Sequence, residues 1–184
     1  MTVVWIRHAE KLYNNGRALN QGKQHDSPLK PDEDLRYQIE YLVKSLRLKV
    51  GVPKTIIISP FLRTRQTAKF IIDYLKEDIE IKYSNDVMEY LGFCHSRSGF
   101  ADLETTTLFK MKKTQFALGE SVEELEERVA KHISEIKSMD ENVWIITHGF
   151  VINKIYEIME GKELRRVEPL EYLVLKDDIL EFNS

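Results

Sequence analysis

Cysteine is almost missing from this chain. Cys94 is the only one in 184 residues, so no internal disulfide can form and no cysteine pair exists to bind zinc. Long apolar runs are missing as well: none approaches the roughly 18 residues of a membrane span. The opening run Thr2-Val3-Val4-Trp5-Ile6 lacks the basic flank and the length of a secretory signal. There is no basic excess either, with 27 Lys and Arg against 30 Asp and Glu. That balance argues against a general nucleic-acid or membrane-surface binder, whose affinity rests on surplus cations. No Pro-, Gly- or Ser-rich stretch divides the chain, and it contains no repeat or low-complexity segment. A soluble protein of a reducing compartment, the cytoplasm, is expected, with residues 1–184 forming one domain.

What the chain does contain is strand–helix alternation around a sizeable apolar fraction, 42% of residues. Residues 3–6, 55–58 and 143–147 are apolar on consecutive positions and rich in β-branched types, the pattern of parallel strands buried on both faces. Residues 34–48, 61–76, 121–139 and 150–159 repeat their apolar positions every three or four residues and are predicted to be helices. Val122, Leu125, Val129, Ile133 and Ile136 form the apolar face of the third, which opens on a capping box, Ser121 with Glu124. Residues 80–83 are predicted to add a fourth strand, and residues 170–175 and 179–182 an antiparallel hairpin. The expected fold is α/β: a three-layer sandwich, its mostly parallel sheet covered by helices on both faces. Trp5 and Trp144 belong to strands and are expected in the core. The Glu123-Glu124 and Glu126-Glu127 run is expected to face water.

Chemistry is concentrated where strands end. Arg7-His8 closes the first strand, and Thr147-His148-Gly149 closes a later one. Open α/β sheets bind ligands outside the carboxyl ends of their strands, so the two histidines can meet over one crevice. The second strand ends at Ser59-Pro60, which puts Arg63 in the first turn of the next helix, where free N–H groups favour an anion. Two arginines and two histidines converging on one place suit phosphate, whose oxygens pair with guanidinium forks.

These residues resemble the motifs of the histidine phosphatase superfamily, branch 1, the phosphoglycerate mutase-like proteins. Arg7-His8-Ala9-Glu10 is similar to its Arg-His-Gly-Glu signature, and Asn14 stands where that family keeps an Asn. Ser59-Pro60, Arg63 and Gln66-Thr67-Ala68 match its second motif, and Ile146-Thr147-His148-Gly149 its third. The resemblance implies the phosphoglycerate mutase-like fold and a phosphatase in which His8 takes the phosphoryl group. Arg7, Asn14, Arg63, His148 and Gly149 would hold its oxygens, and no metal or other cofactor would be needed. It also implies a carboxylic acid after the third strand to protonate the leaving group. Glu89 occupies that place, with Asp86 and Glu10 as competitors; Glu10 is expected to support Arg7 or the loop. Ala9 departs from the usual Gly, and Asp34 stands where a Gly often precedes the first helix.

The expected activity is phosphomonoester hydrolysis on a phosphorylated small molecule or phosphoprotein. The alternatives are a mutase-type phosphotransferase, or a phospho-ligand binding module with little turnover. Mutases of the family carry an inserted paired-Arg motif, whereas residues 89–113 contain Arg97 as their only Arg. Arg17, Lys23, His25, Lys30, His95 and Arg97 are candidate substrate contacts in two long loops. A metal or thiol role for Cys94 beside His95 finds no second cysteine to support it.

Overall fold

The computed structural model describes residues 1–12, 27–90 and 120–183. Its strands are β1 (Thr2–Arg7), β2 (Thr55–Ile58), β3 (Glu80–Tyr83), β4 (Val143–Thr147), β5 (Tyr172–Lys176) and β6 (Ile179–Asn183). Its helices are α1 (Leu35–Val50), α2 (Leu62–Leu75), α3 (Val122–Lys137) and α4 (Gly149–Glu160), with a 3-10 turn at Asn85–Val87. The strands form one sheet in the order β3-β2-β4-β1-β5-β6. The first four in sequence are mutually parallel, while β5 runs antiparallel to both β1 and β6.

Alternation along β1 explains why its sequence is apolar throughout. Val4 and Ile6 join a core with Leu42 and Leu46 of α1 and Ile71 of α2. Val3 and Trp5 point the other way, into a core with Leu125 and Val129 of α3 and Ile152 of α4. Each face of the sheet thus buries one residue parity under its own pair of helices. Both tryptophans are fully buried, as their strand positions required.

The expected elements form, with ends shifted by a few residues. Pro60 lies before the α2 cap at Phe61, outside the helix. The capping box exists: Ser121 Oγ accepts from the Glu124 N–H at 3.1 Å, and Glu124 Oε2 from the Ser121 N–H at 2.8 Å. Val122 is a correction. It belongs to the apolar period of α3 but is 45% exposed, because it lies in the first turn, before the helix meets the sheet. Among the described residues, no helix is long and apolar enough to cross a membrane.

Strand order creates the crevice. β1 and β4 are neighbours, with Arg7 opposite Thr147. The helix that follows β1 packs on one face of the sheet and the helix that follows β4 on the other. Chain segments therefore diverge above this pair of strand ends, leaving room for a ligand.

Candidate active site

The β1–β4 pairing continues one step past the strands, where the His8 N–H donates to the Thr147 carbonyl at 3.0 Å. His8 and His148 are brought together by this register, with ring centroids 5.2 Å apart. Arg63 reaches them from the first turn of α2 and is only 2% exposed. Its Nε donates to His8 Nε2 at 3.1 Å, and its Nη2 lies 3.1 Å from His148 Nδ1. Because a guanidinium can only donate, both ring nitrogens that face it are acceptors. His8 Nδ1 then carries the ring proton and donates to the Ala9 carbonyl at 2.6 Å. His148 Nε2 correspondingly donates to Ser59 Oγ at 2.7 Å.

Burial pushes the pKa of both histidines well below the ordinary value, and the Arg63 charge pushes in the same direction. For His8 the Ala9 carbonyl opposes this without reversing it. Both rings are consequently neutral near pH 7.

Glu89 follows the 3-10 turn after β3, and its Oε2 lies 3.5 Å from both Arg63 Nη2 and His148 Nδ1. Asp86, its competitor, points to α3 instead, with Oδ2 3.1 Å from Lys131 Nζ. Glu10, the other competitor, meets Lys30 Nζ at 3.2 Å on the surface. Arg7 has other partners: its Nη1 donates to the Val167 carbonyl and lies 3.9 Å from Glu168 Oε2. Arg7 Nε is buried and has no hydrogen-bond partner among the described residues, which leaves a cationic donor available beside the crevice. Gly149 passes close to it, since a Cβ there would lie 3.3 Å from the Val167 carbonyl and 3.4 Å from Arg7 Nε. Asn14, Arg17, Lys23, His25, Cys94, His95 and Arg97 lie outside the described residues.

His8, Glu89 and His148 offer ligand atoms within 4.8 Å of one another, a spacing that a metal could bridge. Arg63, however, already donates to both of those histidine nitrogens and lies against Glu89. A cation would meet its charge head-on, so the group suits an anion better.

Several supporting residues carry no role in the sequence reading. Thr67 Oγ1 accepts from the Ala9 N–H at 3.1 Å and donates to the Arg63 carbonyl at 2.8 Å, joining the His8 loop to α2. Gln66 Oε1 accepts from the Leu29 N–H at 2.8 Å. The Phe61 ring lies under the Arg63 guanidinium, 4.5 Å away, and edge-on to His148. Lys11 adds positive charge close by; burial lowers its pKa, and Arg63 lowers it further. Ser59, Gln66 and Thr67 could have been found from the Ser-Pro-x-x-Arg-x-x-Gln-Thr-Ala motif, whose polar members have partners here. Lys11 had no such signal.

A family model described as "Histidine phosphatase superfamily (branch 1)" matches residues 3–183. No curated protein sequence matches the chain. Among solved structures, the ecdysone phosphate phosphatase from Bombix mori, in complex with tungstate, aligns with a TM-score of 0.70 at 16% identity. That alignment covers 100% of this chain and 92% of the other. The protein histidine phosphatase SixA, also with tungstate, aligns at 0.64 and 13% identity, covering 100% and 95%. Phosphoglycerate mutase from Bacillus anthracis aligns at 0.64 and 17% identity, covering 100% and 92%. At such identities these likenesses speak for the fold alone.

Proposed function

Because the chain belongs to the histidine phosphatase superfamily, branch 1, we propose that it is a metal-independent phosphomonoesterase working through a phosphohistidine on His8. Phosphatase or mutase-type chemistry is the activity class of the family; hydrolysis, and the residues that perform it, are our reading. One observation carries it. Arg63 Nε donates to His8 Nε2, so that nitrogen has no proton and its lone pair faces the cation that would hold the phosphoryl group.

In the proposed reaction His8 Nε2 gives its lone pair to phosphorus, the ester P–O bond breaks, and the leaving oxygen takes a proton from Glu89. The ring is then cationic, and its Nδ1–H bond to the Ala9 carbonyl holds that charge. Water next attacks the phosphorus and gives its proton to Glu89. The N–P bond breaks, inorganic phosphate leaves, and neutral His8 and protonated Glu89 are restored. Arg7, Arg63, Asn14 and the N-terminal end of α4 at Gly149 hold the non-bridging oxygens and stabilise their charge in flight. For His148 to join them as a donor its ring proton must stand on Nδ1 instead of Nε2, the tautomer in which Ser59 donates to Nε2.

The proposed substrate is a phosphomonoester on a small molecule or a protein, met in the cytoplasm by residues 1–184 acting as one domain. Tungstate in two of the similar structures, a tetrahedral oxyanion of phosphate shape, supports a phosphoryl site. The test is p-nitrophenol release from p-nitrophenyl phosphate in EDTA. Wild type should turn over, and His8→Ala should lose about 10³-fold or more. Full activity in His8→Ala, or wild-type turnover only after a divalent metal is added, would reject the reading.

A further inference from the structure

The segment that carries Glu89 is held by its backbone from two directions. Thr147 Oγ1, one residue before His148, donates to the Val87 carbonyl at 2.7 Å. From α3, Arg128 Nη1 donates to the Asp86 carbonyl at 2.9 Å, and its Nη2 reaches the Glu89 carbonyl at 3.5 Å. Three of the four carbonyls from 86 to 89 therefore accept from side chains of neighbouring elements. The guanidinium doing most of this is itself fixed. Its Nε bonds Glu120 Oε1, and its Nη2 donates to Glu120 Oε2 at 2.9 Å, a bidentate pair on a carboxylate that is only 1% exposed.

From this geometry we infer that Arg128, locked by Glu120, is a positioning residue for the general acid: it sets where the Glu89 carboxyl stands relative to Arg63 and His148. The inference rests on Glu89 being that acid. Arg128 itself is separated from the reacting atoms by the backbone it holds. Its donors are spread over three partners, Glu120, Asp86 and Glu89, which a lysine ammonium cannot reproduce in one plane. Glu120 also balances its charge, so the clamp adds no net charge behind the acid.

The experiment uses Arg128→Lys, which keeps the charge opposite Glu120 and loses the fork, with Glu89→Gln and the double variant alongside. Each is assayed on p-nitrophenyl phosphate, whose leaving group scarcely needs a proton, and on an alkyl phosphate, whose leaving group does. Glu89→Gln should lose roughly 10²-fold or more in kcat on the alkyl phosphate and far less on p-nitrophenyl phosphate. Arg128→Lys should show the same selectivity at roughly tenfold, with KM nearly unchanged. In the Glu89→Gln background the Arg128 change should cost almost nothing more, because there is no acid left to misplace.

Equal losses on both substrates, or full additivity in the double variant, would reduce Arg128 to a fold-stabilising residue and overturn the inference. If Glu89→Gln itself shows no leaving-group selectivity, the acid assignment fails first and the inference falls with it. Should Arg128→Lys not fold, the charge-free pair Glu120→Gln with Arg128→Gln takes its place and must show the same selectivity.

Discussion

Ser59 shows how one hydroxyl can govern the tautomer of a buried ring, here the His148 imidazole proposed to hold the phosphoryl group. It faces His148 Nε2 at 2.7 Å and can either accept or donate there, so it decides whether the opposite nitrogen presents a lone pair or a proton to the crevice. Ser59→Ala removes that control from a fully buried imidazole. We expect kcat/KM to fall about tenfold with the protein still folded, measured by steady-state assay beside a thermal melt. A melt shifted by many degrees with kcat/KM unchanged would contradict it. Gly149→Ala should push the Val167 carbonyl away by a few tenths of an ångström and bring a methyl group against Arg7. The expected result is roughly a tenfold loss in kcat/KM, read against phosphate affinity by calorimetry. Unchanged activity would mean that Arg7 adapts freely.

At the scale of elements, the first turns of helices do the positioning. Arg63 and His148 both stand at helix starts, and α3 holds Arg128 in its second turn. The capping box that starts α3 is expected to matter for stability: Ser121→Ala should cost about 1 kcal/mol in urea unfolding. A change of only a few tenths would show the cap to be redundant with the Glu120–Arg128 pair next to it. Much of this layout was legible in the sequence. Consecutive apolar residues marked the buried parallel strands, and the strand-end and helix-start positions of His8, Arg63 and His148 marked the crevice. Arg128 and His132 escaped notice because each looks ordinary by type. Yet both fall in the apolar period of Leu125, Val129, Ile133 and Ile136, and a polar residue inside a buried stripe was the available signal. Lys11 and Arg7's neighbours at Val167 and Glu168 could not be read, because they come from segments with no period at all.

For the whole molecule, acid is the expected weakness. His132 accepts from Trp5 Nε1 at 3.1 Å inside the core, and burial lowers its pKa to about 4. Unfolding returns it to the ordinary value of 6.5. Between those two values the unfolded chain binds more protons, so stability rises with pH there. It is fully present above 6.5 and is lost as pH falls toward 4, at a cost of about 3 kcal/mol from His132 alone. His8 and His148, lowered by burial as well, act in the same direction. Urea unfolding from pH 7.5 to 4.5 should show this decline, and His132→Gln should make it shallower, leaving the part that comes from His8 and His148. A stability independent of pH over that range would mean that these rings are already charged in the fold.

The strand order has a further consequence for how the protein is made. β1 is synthesised early, yet its two neighbours in the sheet, β4 and β5, come from the last third of the chain. Until they leave the ribosome, a strand apolar on both faces waits with both edges open, the condition in which nascent chains pair wrongly or call on chaperones. His8, the proposed nucleophile, directly follows the strand that must wait longest for its place, and translation stalled before residue 143 should yield aggregates without phosphatase activity.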